Sequence, residues 1–286
     1  MSRFLRRRRA DRHPTRGTAP APETGAPLGP NPEAPEATAP RSGQARPEED
    51  QPPVVRVRDL TVTAHGPEGE SVLLQGLTCT LGAARTAVIG ENGSGKSTLV
   101  RVIAGLMDPA AGSVTVHGVD AVADRRRLRR CVGFVFANPG AQAIMPVVRE
   151  DVALTLRGRD LTTEQIRRTV DAALAEHGLS DLADRACQSL SSGQMQRLAL
   201  CSVLVGGPDL VIADEPTSML DARHRRIIVD RLLAPAARQV LLVTHDMDLA
   251  ARCDEAVLIR DGKLQAQGPP DEVIARYHRS LEEPGR

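Results

Sequence analysis

The sequence predicts an α/β fold with a buried parallel sheet, and two observations predict it. Short apolar runs rich in β-branched residues recur along the chain, and each ends at a glycine or at polar residues. Segments with apolar residues at helical spacing separate these runs, as expected where helices connect parallel strands. The 286 residues, of which 41% are hydrophobic, are enough for one large domain or two small ones.

The overall composition excludes several classes of protein. A formal net charge of +1 gives no basis for general nucleic-acid binding, which usually needs a strongly basic surface. The longest apolar stretch, about Leu198 to Val205, is far shorter than the ~20 residues that span a bilayer. The five cysteines are scattered without a CxxC spacing, so we expect neither a disulfide framework nor a zinc site.

Residues 1–53 differ in composition from the rest of the chain. They hold 11 of the 21 prolines and almost no large apolar residues, which predicts a disordered tail. Seven arginines stand among the first 16 residues, and no apolar segment of a secretory signal follows them. This basic end could contact anionic lipid, or it could be only a solvated tail. We expect one folded domain over residues 54–278 and a short tail over residues 279–286.

A predicted phosphate-binding loop follows the strand pattern Thr86–Ile89. Its residues satisfy the pattern G-x-x-x-x-G-K-[ST] and lead into a helix pattern at Leu99–Ala104. Glycines there let backbone amides converge on phosphate oxygens at a helix N-terminus. We expect Lys96 to contact the β- and γ-phosphates and Ser97 to ligate Mg²⁺. The predicted phosphate-binding residues are Gly90, Glu91, Asn92, Gly93, Ser94, Gly95, Lys96, Ser97 and Thr98.

Two acidic residues end a later apolar strand pattern, Asp209–Glu215. Asp214 suits Mg²⁺, directly or through water, and Glu215 could polarise a water that attacks the γ-phosphate. Another strand pattern, Val240–Val243, ends close to His245. Because ligands of open α/β sheets bind at the carboxyl ends of the strands, we expect His245 to contact the same phosphate. The sequence therefore predicts ATP and Mg²⁺ as ligands and Glu215 and His245 as catalytic residues.

A third motif opens a predicted helix with the sequence Leu190-Ser191-Ser192-Gly193-Gln194. The spacing of Ser191 and Gln194 is that of a capping box, which by itself requires no further function. The motif also resembles the signature of ABC ATPases, usually written LSGGQ. Its order relative to the phosphate loop, the acidic strand end and His245 matches that family, and the resemblance covers about residues 54–277.

The resemblance implies a P-loop NTPase fold of the ABC nucleotide-binding type. Such a domain has an antiparallel β subdomain and a helical insert, the latter expected at about residues 138–205. The turn signal Asp261-Gly262 separates the strands of a predicted hairpin. The other expected elements are the antiparallel strands Val54–Thr63, Val72–Leu81 and Ser113–His117, the helix Thr162–Glu176, the hairpin Ala256–Gln267 and a last short helix after Gly268.

The resemblance also implies how two such domains would cooperate. In this family two domains enclose two ATP molecules head to tail, and the signature of one closes the phosphate site of the other. Ser191, Gly193 and Gln194 would therefore act in trans, and Asp221 would communicate across the dimer. One set of motifs implies a second ABC ATPase chain, identical or paralogous, as partner. An integral membrane transporter subunit would place the chain at the cytoplasmic face of the plasma membrane, with no nucleic acid as partner.

The stretch Val132–Gln142 indicates a branch of the family. It resembles the V-G-x-V-F-Q-N-P-D-x-Q region of energy-coupling-factor ATPases, which power vitamin and cobalt/nickel importers. Within that group it is most similar to the biotin-transport ATPases. The resemblance implies an ATP-hydrolysing subunit that powers uptake of a vitamin or a metal ion. The alternatives are the ATPase of another ABC transporter, such as an exporter, and a nucleotide-binding regulator with little turnover.

Three positions depart from the family pattern. Ala137 occupies the place of a glutamine that would ligate Mg²⁺, and Gln142 could partly replace it. His65 stands near the place where the family stacks adenine on an aromatic residue, and it could either stack or lie in a turn before Gly66. Ser192 replaces the first glycine of the signature, where its small side chain should be tolerated. Because none of the core catalytic groups is missing, we expect hydrolysis.

Overall fold

The computed structural model describes residues 54–66, 69–218, 220–234 and 238–282, except for the side chain of His65. The predicted tail at residues 1–53 and the end of the chain after residue 282 lie outside the described residues. The described residues belong to one compact unit, Pro47–Arg286. None of the helices within them is long and apolar enough to cross a bilayer.

Ten strands and eight α-helices occur in the described part of the chain. The strands are β1 (Val55–Gly66), β2 (Gly69–Leu81), β3 (Arg85–Ile89), β4 (Ala111–Val116), β5 (Val119–Asp120), β6 (Val132–Val135), β7 (Leu210–Asp214), β8 (Gln239–Val243), β9 (Glu255–Arg260) and β10 (Lys263–Gly268). The helices are α1 (Lys96–Ile103), α2 (Arg125–Cys131), α3 (Val148–Leu154), α4 (Thr163–Glu176), α5 (Ser192–Leu204), α6 (Ala222–Leu232), α7 (Met247–Ala250) and α8 (Pro270–Glu282).

A six-stranded sheet in the order β10-β9-β3-β8-β7-β6 forms the centre of the unit. Neighbouring strands are parallel except in the hairpin of β9 and β10. Alternate residues of a strand point to opposite faces of a sheet. Ile212 and Leu241 accordingly pack in one aliphatic cluster, whereas Val211 and Leu242 pack in another. Both faces of the sheet are thus buried, as the apolar strand patterns predicted.

A second sheet is antiparallel, with the strand order β2-β1-β4-β5. Val57 of β1 and Leu77 of β2 share a buried cluster with Leu99 and Val102 of α1. The same cluster contains residues from one face of the central sheet, so α1 and the antiparallel sheet cover that face. The antiparallel β subdomain expected at the start of the folded part is therefore present.

The end of β1 corrects one expectation about His65. The strand continues to Gly66 instead of ending at Thr63, and the backbone of His65 pairs with that of Glu70. The alternative of a turn at His65 is wrong, because β1 pairs with β2 as far as Gly66, which lies opposite Gly69. The side chain of His65 lies outside the described residues, so stacking on adenine stays a prediction.

Helices α3, α4 and α5 pack around a third aliphatic cluster within the segment expected as a helical insert. Val152 of α3 and Leu174 of α4 are at most 1% exposed. Helix α4 starts with a capping box, in which the N–H of Gln165 donates to Oγ1 of Thr162 at 3.2 Å and the N–H of Thr162 donates to Oε1 of Gln165 at 2.7 Å. The predicted helix is confirmed at Thr163–Glu176.

The last helix, α8, is longer than the short helix that the sequence predicted. It continues to Glu282, past residue 278 where we expected the domain to end. Val273 is buried and Tyr277 packs against the cluster on the second face of the central sheet. In addition, Nη1 of Arg260 donates to the carbonyl oxygen of Ser280 at 3.3 Å. These contacts extend along the helix and explain its length.

Candidate nucleotide-binding site

Three parallel strands bring the predicted phosphate-binding, metal-binding and catalytic residues to one edge of the central sheet. Strand β3 leads into Gly90, β7 ends at Asp214, and β8 is followed by Thr244 and His245. Strands β3 and β7 each pair with β8 in parallel, so the three carboxyl ends lie side by side. Ligands of open α/β sheets bind outside this edge.

The phosphate loop depends on glycines in the left-handed region of backbone conformation. Gly90 has a φ of 145°, Gly93 of 81° and Gly95 of 104°, and residues with a side chain rarely adopt such angles. A Cβ on Gly90 would also lie 2.1 Å from the carbonyl oxygen of Ile259. Because α1 begins at Lys96, the free N–H groups of its first turn point into the loop.

The side chain of Lys96 is held by two backbone carbonyl groups of the loop. Its Nζ donates to the oxygen of Gly90 at 2.9 Å and to that of Glu91 at 2.7 Å, and the residue is 6% exposed. Burial lowers the pKa of Lys96, while the charges of Glu215, Asp214 and Glu91 oppose this shift. A buried ammonium group at a loop of converging amides suits a polyanionic ligand such as ATP.

Two hydroxyl groups of the loop fit a phosphate and a metal ion. Oγ of Ser94 is buried and has no hydrogen-bond partner within the described residues, so it can bond a phosphate oxygen. Oγ of Ser97 donates to Oδ1 of Asp214 at 3.0 Å. A hydroxyl and a carboxylate together are the kind of oxygen ligands that Mg²⁺ prefers. The remaining loop residues lie further out, with Glu91, Asn92 and Gly93 exposed and Thr98 half-buried.

Glu215 and His245 are in contact at the same edge of the sheet. Nδ1 of His245 lies 2.8 Å from Oε2 of Glu215, and the N–H of Glu215 donates to the carbonyl of Val243 at 3.0 Å. Glu215 has a φ of 50°, which is uncommon for a residue with a side chain. The histidine side chain is 67% exposed and the glutamate 19%, so the pair opens to solvent beside Asp214.

The signature residues open helix α5, in the helical insert and not at the sheet edge. The N–H of Gln194 donates to Oγ of Ser191 at 3.3 Å, and the N–H of Ser191 donates to Oε1 of Gln194 at 2.9 Å. The predicted capping box is therefore confirmed. Ser192 is exposed and Gly193 is buried. These capping bonds are local, and the structure does not bring the signature to the phosphate loop of its own chain.

Asp221 is the N-cap residue of α6. Its Oδ1 accepts the backbone N–H of His224 at 2.8 Å, and Nδ1 of His224 donates to the carboxylate at 2.9 Å. These hydrogen bonds hold the pKa of Asp221 below its ordinary value. The family resemblance pointed to Asp221, but no sequence signal pointed to His224, whose ring also packs against Gly193.

The contacts of Gln142 do not support its proposed replacement of the amide missing at Ala137. Oε1 of Gln142 accepts the N–H of Phe136 at 3.1 Å, and its Nε2 donates to the carbonyl of Ala199 at 3.3 Å. Both ends of the amide are thus engaged with backbone, which ties this segment to α5. Ala137 offers only its carbonyl oxygen, to which Oγ of Ser218 donates at 3.4 Å.

Sequence reasoning missed a contact between the phosphate loop and the hairpin of β9 and β10. The N–H of Gly262 donates to the carbonyl of Ser94 at 3.0 Å, and its own carbonyl accepts the N–H of Gln75 at 2.9 Å. The Asp261-Gly262 signal predicted the turn, but a local signal cannot identify the loop that a turn contacts. The hairpin therefore supports the phosphate loop from a distant part of the sequence.

One edge of the central sheet carries a glycine-rich loop with a buried lysine, a serine–aspartate pair and a glutamate–histidine pair. This combination is typical of P-loop ATP-binding proteins. Comparison with known proteins refines this class. The chain belongs to the ABC transporter family, whose sequence model matches residues 74–218. It is therefore an ABC-type ATPase, and the predicted fold class and family are confirmed.

Two relatives in sequence carry names from the branch that the sequence indicated. The chain is 42% identical to the biotin transport ATP-binding protein BioM of Rhizobium etli, over 73% of this chain and 92% of the relative. It is 36% identical to the energy-coupling factor transporter ATP-binding protein EcfA1 of Bacillus subtilis, over 66% of this chain and 68% of the relative.

Solved structures show the same fold. The cbiO1 protein of Clostridium perfringens, described as part of the ABC transporter complex cbiONQ, has a TM-score of 0.68 at 29% identity, covering 81% of this chain and 95% of its own. The ATP-binding cassette MJ0796, in a dimeric post-hydrolysis state bound to ADP and Pi, has a TM-score of 0.67 at 26% identity, covering 76% and 98%. Cassettes of this fold thus form dimers and occur in transporter complexes.

Proposed function

We propose that this chain is the ATP-hydrolysing subunit of an energy-coupling-factor importer and that its solute is a vitamin, with biotin the first to test. The observation that carries the proposal is a complete set of hydrolytic groups at one sheet edge. That set comprises Lys96, Ser97, Asp214, Glu215 and His245. The names of the relatives, biotin transport and energy-coupling factor, support the importer branch.

The geometry accounts for ATP hydrolysis through groups of this chain. Loop amides and Nζ of Lys96 bind the β- and γ-phosphate oxygens. Ser97 and Asp214 would hold Mg²⁺, which neutralises charge on those oxygens. Glu215 orients a water in line with the γ-phosphorus and accepts its proton as the water oxygen attacks and the bond to ADP breaks. Nδ1 of His245 lies 2.8 Å from Oε2 of that carboxylate, and the ring would contact the γ-phosphate from the same sheet edge.

The second half of each site would come from another ABC ATPase chain, identical or paralogous. Ser191, Gly193 and Gln194 would approach the γ-phosphate of the partner's ATP, and the N-terminus of α5 would add partial positive charge. Asp221 would lie where the two chains meet. An integral membrane transporter subunit would hold the pair at the cytoplasmic face of the plasma membrane. The dimeric cassette of the same fold supports this arrangement.

Replacing Glu215 with glutamine tests the hydrolytic role. Glutamine has nearly the same shape but cannot accept the proton of the attacking water, so we expect multiple-turnover hydrolysis to fall by about 100-fold or more. ATP binding should persist. Steady-state phosphate release and retention of labelled ATP measure the two effects. Asp248→Asn, at an exposed carboxylate of α7, should keep the parent rate, and retained turnover in Glu215→Gln would overturn the assigned role.

Co-purification and uptake test the importer assignment. Expressed with candidate membrane subunits, the chain should co-purify with a vitamin-binding one and support ATP-dependent uptake of labelled biotin into proteoliposomes. A complex that takes up a different vitamin would correct only the solute. An export permease as the membrane partner would overturn the importer assignment while leaving the ATPase activity intact.

A further inference from the structure

We infer that His224 is a positioning residue that holds the signature of α5 and Asp221 of α6 in one fixed arrangement, so that both meet the partner's nucleotide as a unit. His224 lies in the first turn of α6, and none of the motifs above includes it. The inference rests on the proposed function, because the two segments act on a second chain's nucleotide only in the head-to-tail dimer.

One side of the His224 ring packs directly on Gly193. A Cβ built on Gly193 would lie 2.5 Å from Cδ2, 2.7 Å from Cγ and 2.9 Å from Nε2 of His224, closer than packed atoms approach one another. Gly193 is not among the glycines with positive φ, so the backbone there does not require glycine. The ring of His224 is what leaves no room for a side chain at this signature position.

Another edge of the same ring holds Asp221. Nδ1 of His224 lies 2.9 Å from each carboxylate oxygen, and the backbone N–H of His224 adds a bond of 2.8 Å to Oδ1. Hydrogen bonds from one residue thus fix the orientation of the carboxylate at the start of α6. The imidazole of His224 therefore joins the N-cap of α6 to the start of α5.

The contact matters because it acts at the starts of α5 and α6, away from the packing that the two helices share further along. Leu200 of α5 lies with Ile228 and Val229 of α6 in the cluster on the second face of the central sheet, whereas Leu198 of α5 lies in the cluster of the helical insert. The His224 side chain is 31% exposed, and its ring adds contacts with Gly193 and Asp221 at the starts of the two helices.

The arrangement should affect closure of the dimer and not ATP binding by a single chain. ATP binds first to the phosphate loop of its own chain, which His224 does not contact. Closure needs the signature and Asp221 to be in register when they reach the partner's nucleotide. Loss of the His224 contacts should therefore weaken ATP-dependent dimerisation and lower kcat at unchanged monomer affinity.

Three variants separate the two contacts of the ring, and all of them keep the backbone N–H that bonds Asp221. His224→Ala removes both ring contacts, His224→Asn keeps a side-chain donor near Asp221, and His224→Phe keeps a ring over Gly193. In the Glu215→Gln background, ultracentrifugation with ATP measures dimerisation, and a fluorescent ATP analogue measures nucleotide affinity. We expect His224→Ala to raise the dimer Kd about tenfold, as for loss of one hydrogen bond to a charged group, and the other two variants to raise it less.

Two outcomes of this experiment would overturn the inference. Parent-like dimerisation of His224→Ala would show that the residue has no role in closure. Parent-like dimerisation of His224→Asn would show that capping by Asp221 alone suffices and that the ring on Gly193 is not needed. A purely structural role would instead lower the melting temperature of all three variants without changing the dimer Kd.

A cycle of thermal unfolding tests the contact between the ring and Gly193 without a partner. Gly193→Ala should lower Tm by roughly 3–10 °C, because its Cβ collides with the ring, and adding His224→Ala should restore at least half of the loss. Gly82→Ala is the matched control, since its Cβ would meet only Cγ2 of Val54 at 3.8 Å. Equal losses with and without His224 would overturn the inference.

The two experiments can fail separately. If the Glu215→Gln parent stays monomeric with ATP, both alone and with a paralogous ATPase chain that co-purifies with it, the head-to-tail dimer and the role of His224 in it are both overturned, whatever the unfolding cycle shows about packing. If the parent dimerises and His224→Ala dimerises equally well, the proposed function stands and only the inference falls.

Discussion

At the scale of single residues, Lys96 shows how tightly one position can constrain its side chain. Of the 37 basic residues of the chain, only Lys96 and Lys263 are lysines. The Lys96 ammonium sits on two carbonyl oxygens at 2.9 and 2.7 Å and is almost fully buried. A compact ammonium fits between these oxygens and a phosphate, whereas a planar guanidinium needs more room. The one lysine that the proposed mechanism needs is thus kept in an arginine-rich protein.

Lys96→Arg should therefore keep the charge and lose the function. We expect ATP affinity or turnover to fall about 100-fold, because the guanidinium displaces the phosphate by an ångström or more. Titration with a fluorescent ATP analogue and phosphate release measure the loss. Lys263→Arg is the matched control, since Lys263 is exposed and should tolerate the change. Parent-like activity of Lys96→Arg would contradict the steric argument.

Ala137 stands where the family pattern has a glutamine that would ligate Mg²⁺, and the structure bears on whether Gln142 replaces that ligand. The amide of Gln142 is bonded to backbone on both sides, which gives no support for Gln142 as the replacement ligand. Ala137→Gln should restore an oxygen ligand for Mg²⁺ and raise steady-state phosphate release by up to about tenfold. Ala137→Leu, which adds bulk without oxygen, should give no rise. Unchanged hydrolysis in Ala137→Gln would argue that the ligand is not missed.

Motif spacing predicted which residues meet at the edge of the central sheet, because each motif encodes a short piece of backbone with its functional groups attached. Ser97 and Asp214 lie far apart in sequence, yet their predicted common role matches a hydrogen bond of 3.0 Å. The sequence could not reveal His224, since its contact with Gly193 joins two helices whose relative placement no local pattern encodes.

At the scale of elements, the hairpin of β9 and β10 acts as a support for the phosphate loop. Asp261 has a φ of 49° and Gly262 of 70°, the pair of positive angles found in type I′ turns. A Cβ on Gly262 would lie 2.7 Å from the carbonyl oxygen of Leu73. The turn therefore fits closely between β2 and the loop, and its N–H reaches Ser94 at 3.0 Å.

Gly262→Ala should damage this support. The variant incurs both the backbone cost of positive φ, about 1 kcal/mol, and a collision with Leu73. Gly207→Ala is the matched control, because Gly207 has a φ of 59° but no atom within 4 Å of its would-be Cβ. We expect Gly262→Ala to lose more stability in denaturant unfolding and to bind ATP more weakly. Equal stability losses with unchanged ATP affinity would mean that the hairpin does not support the loop.

Elements with a clear apolar run, turn signal or helical period were predicted. Strands β3, β7, β8, β9 and β10 and helix α4 lie within a few residues of the expected bounds, whereas β6 of the same sheet was not predicted as a strand. Helix α2 was missed because five of its seven residues are arginines and only Leu128 is buried. The length of α8 was underestimated because contacts such as that of Arg260 with Ser280 lie outside any local pattern.

At the scale of the whole molecule, one chain holds two functional halves that would serve different nucleotides. The phosphate loop and its partners lie at the edge of the central sheet, while the signature opens a helix of the insert. The fold class was predictable because the strand and loop motifs occur in a fixed order along the chain. The relative placement of the two halves was not predictable, since it depends on packing between the insert and the sheet, including the contact of His224.

The three aliphatic clusters and all proposed site residues lie within residues 54–282, so this part should fold and work alone. Removing residues 1–50 should leave Tm within about 2 °C and phosphate release within about twofold. A larger loss would show that residues 1–50 contribute to folding or to hydrolysis.

The removed segment has nine basic and seven acidic residues, with seven arginines among its first 16. If that end contacts anionic lipid, truncation should reduce sedimentation with anionic vesicles, and unchanged sedimentation would leave it as a solvated tail.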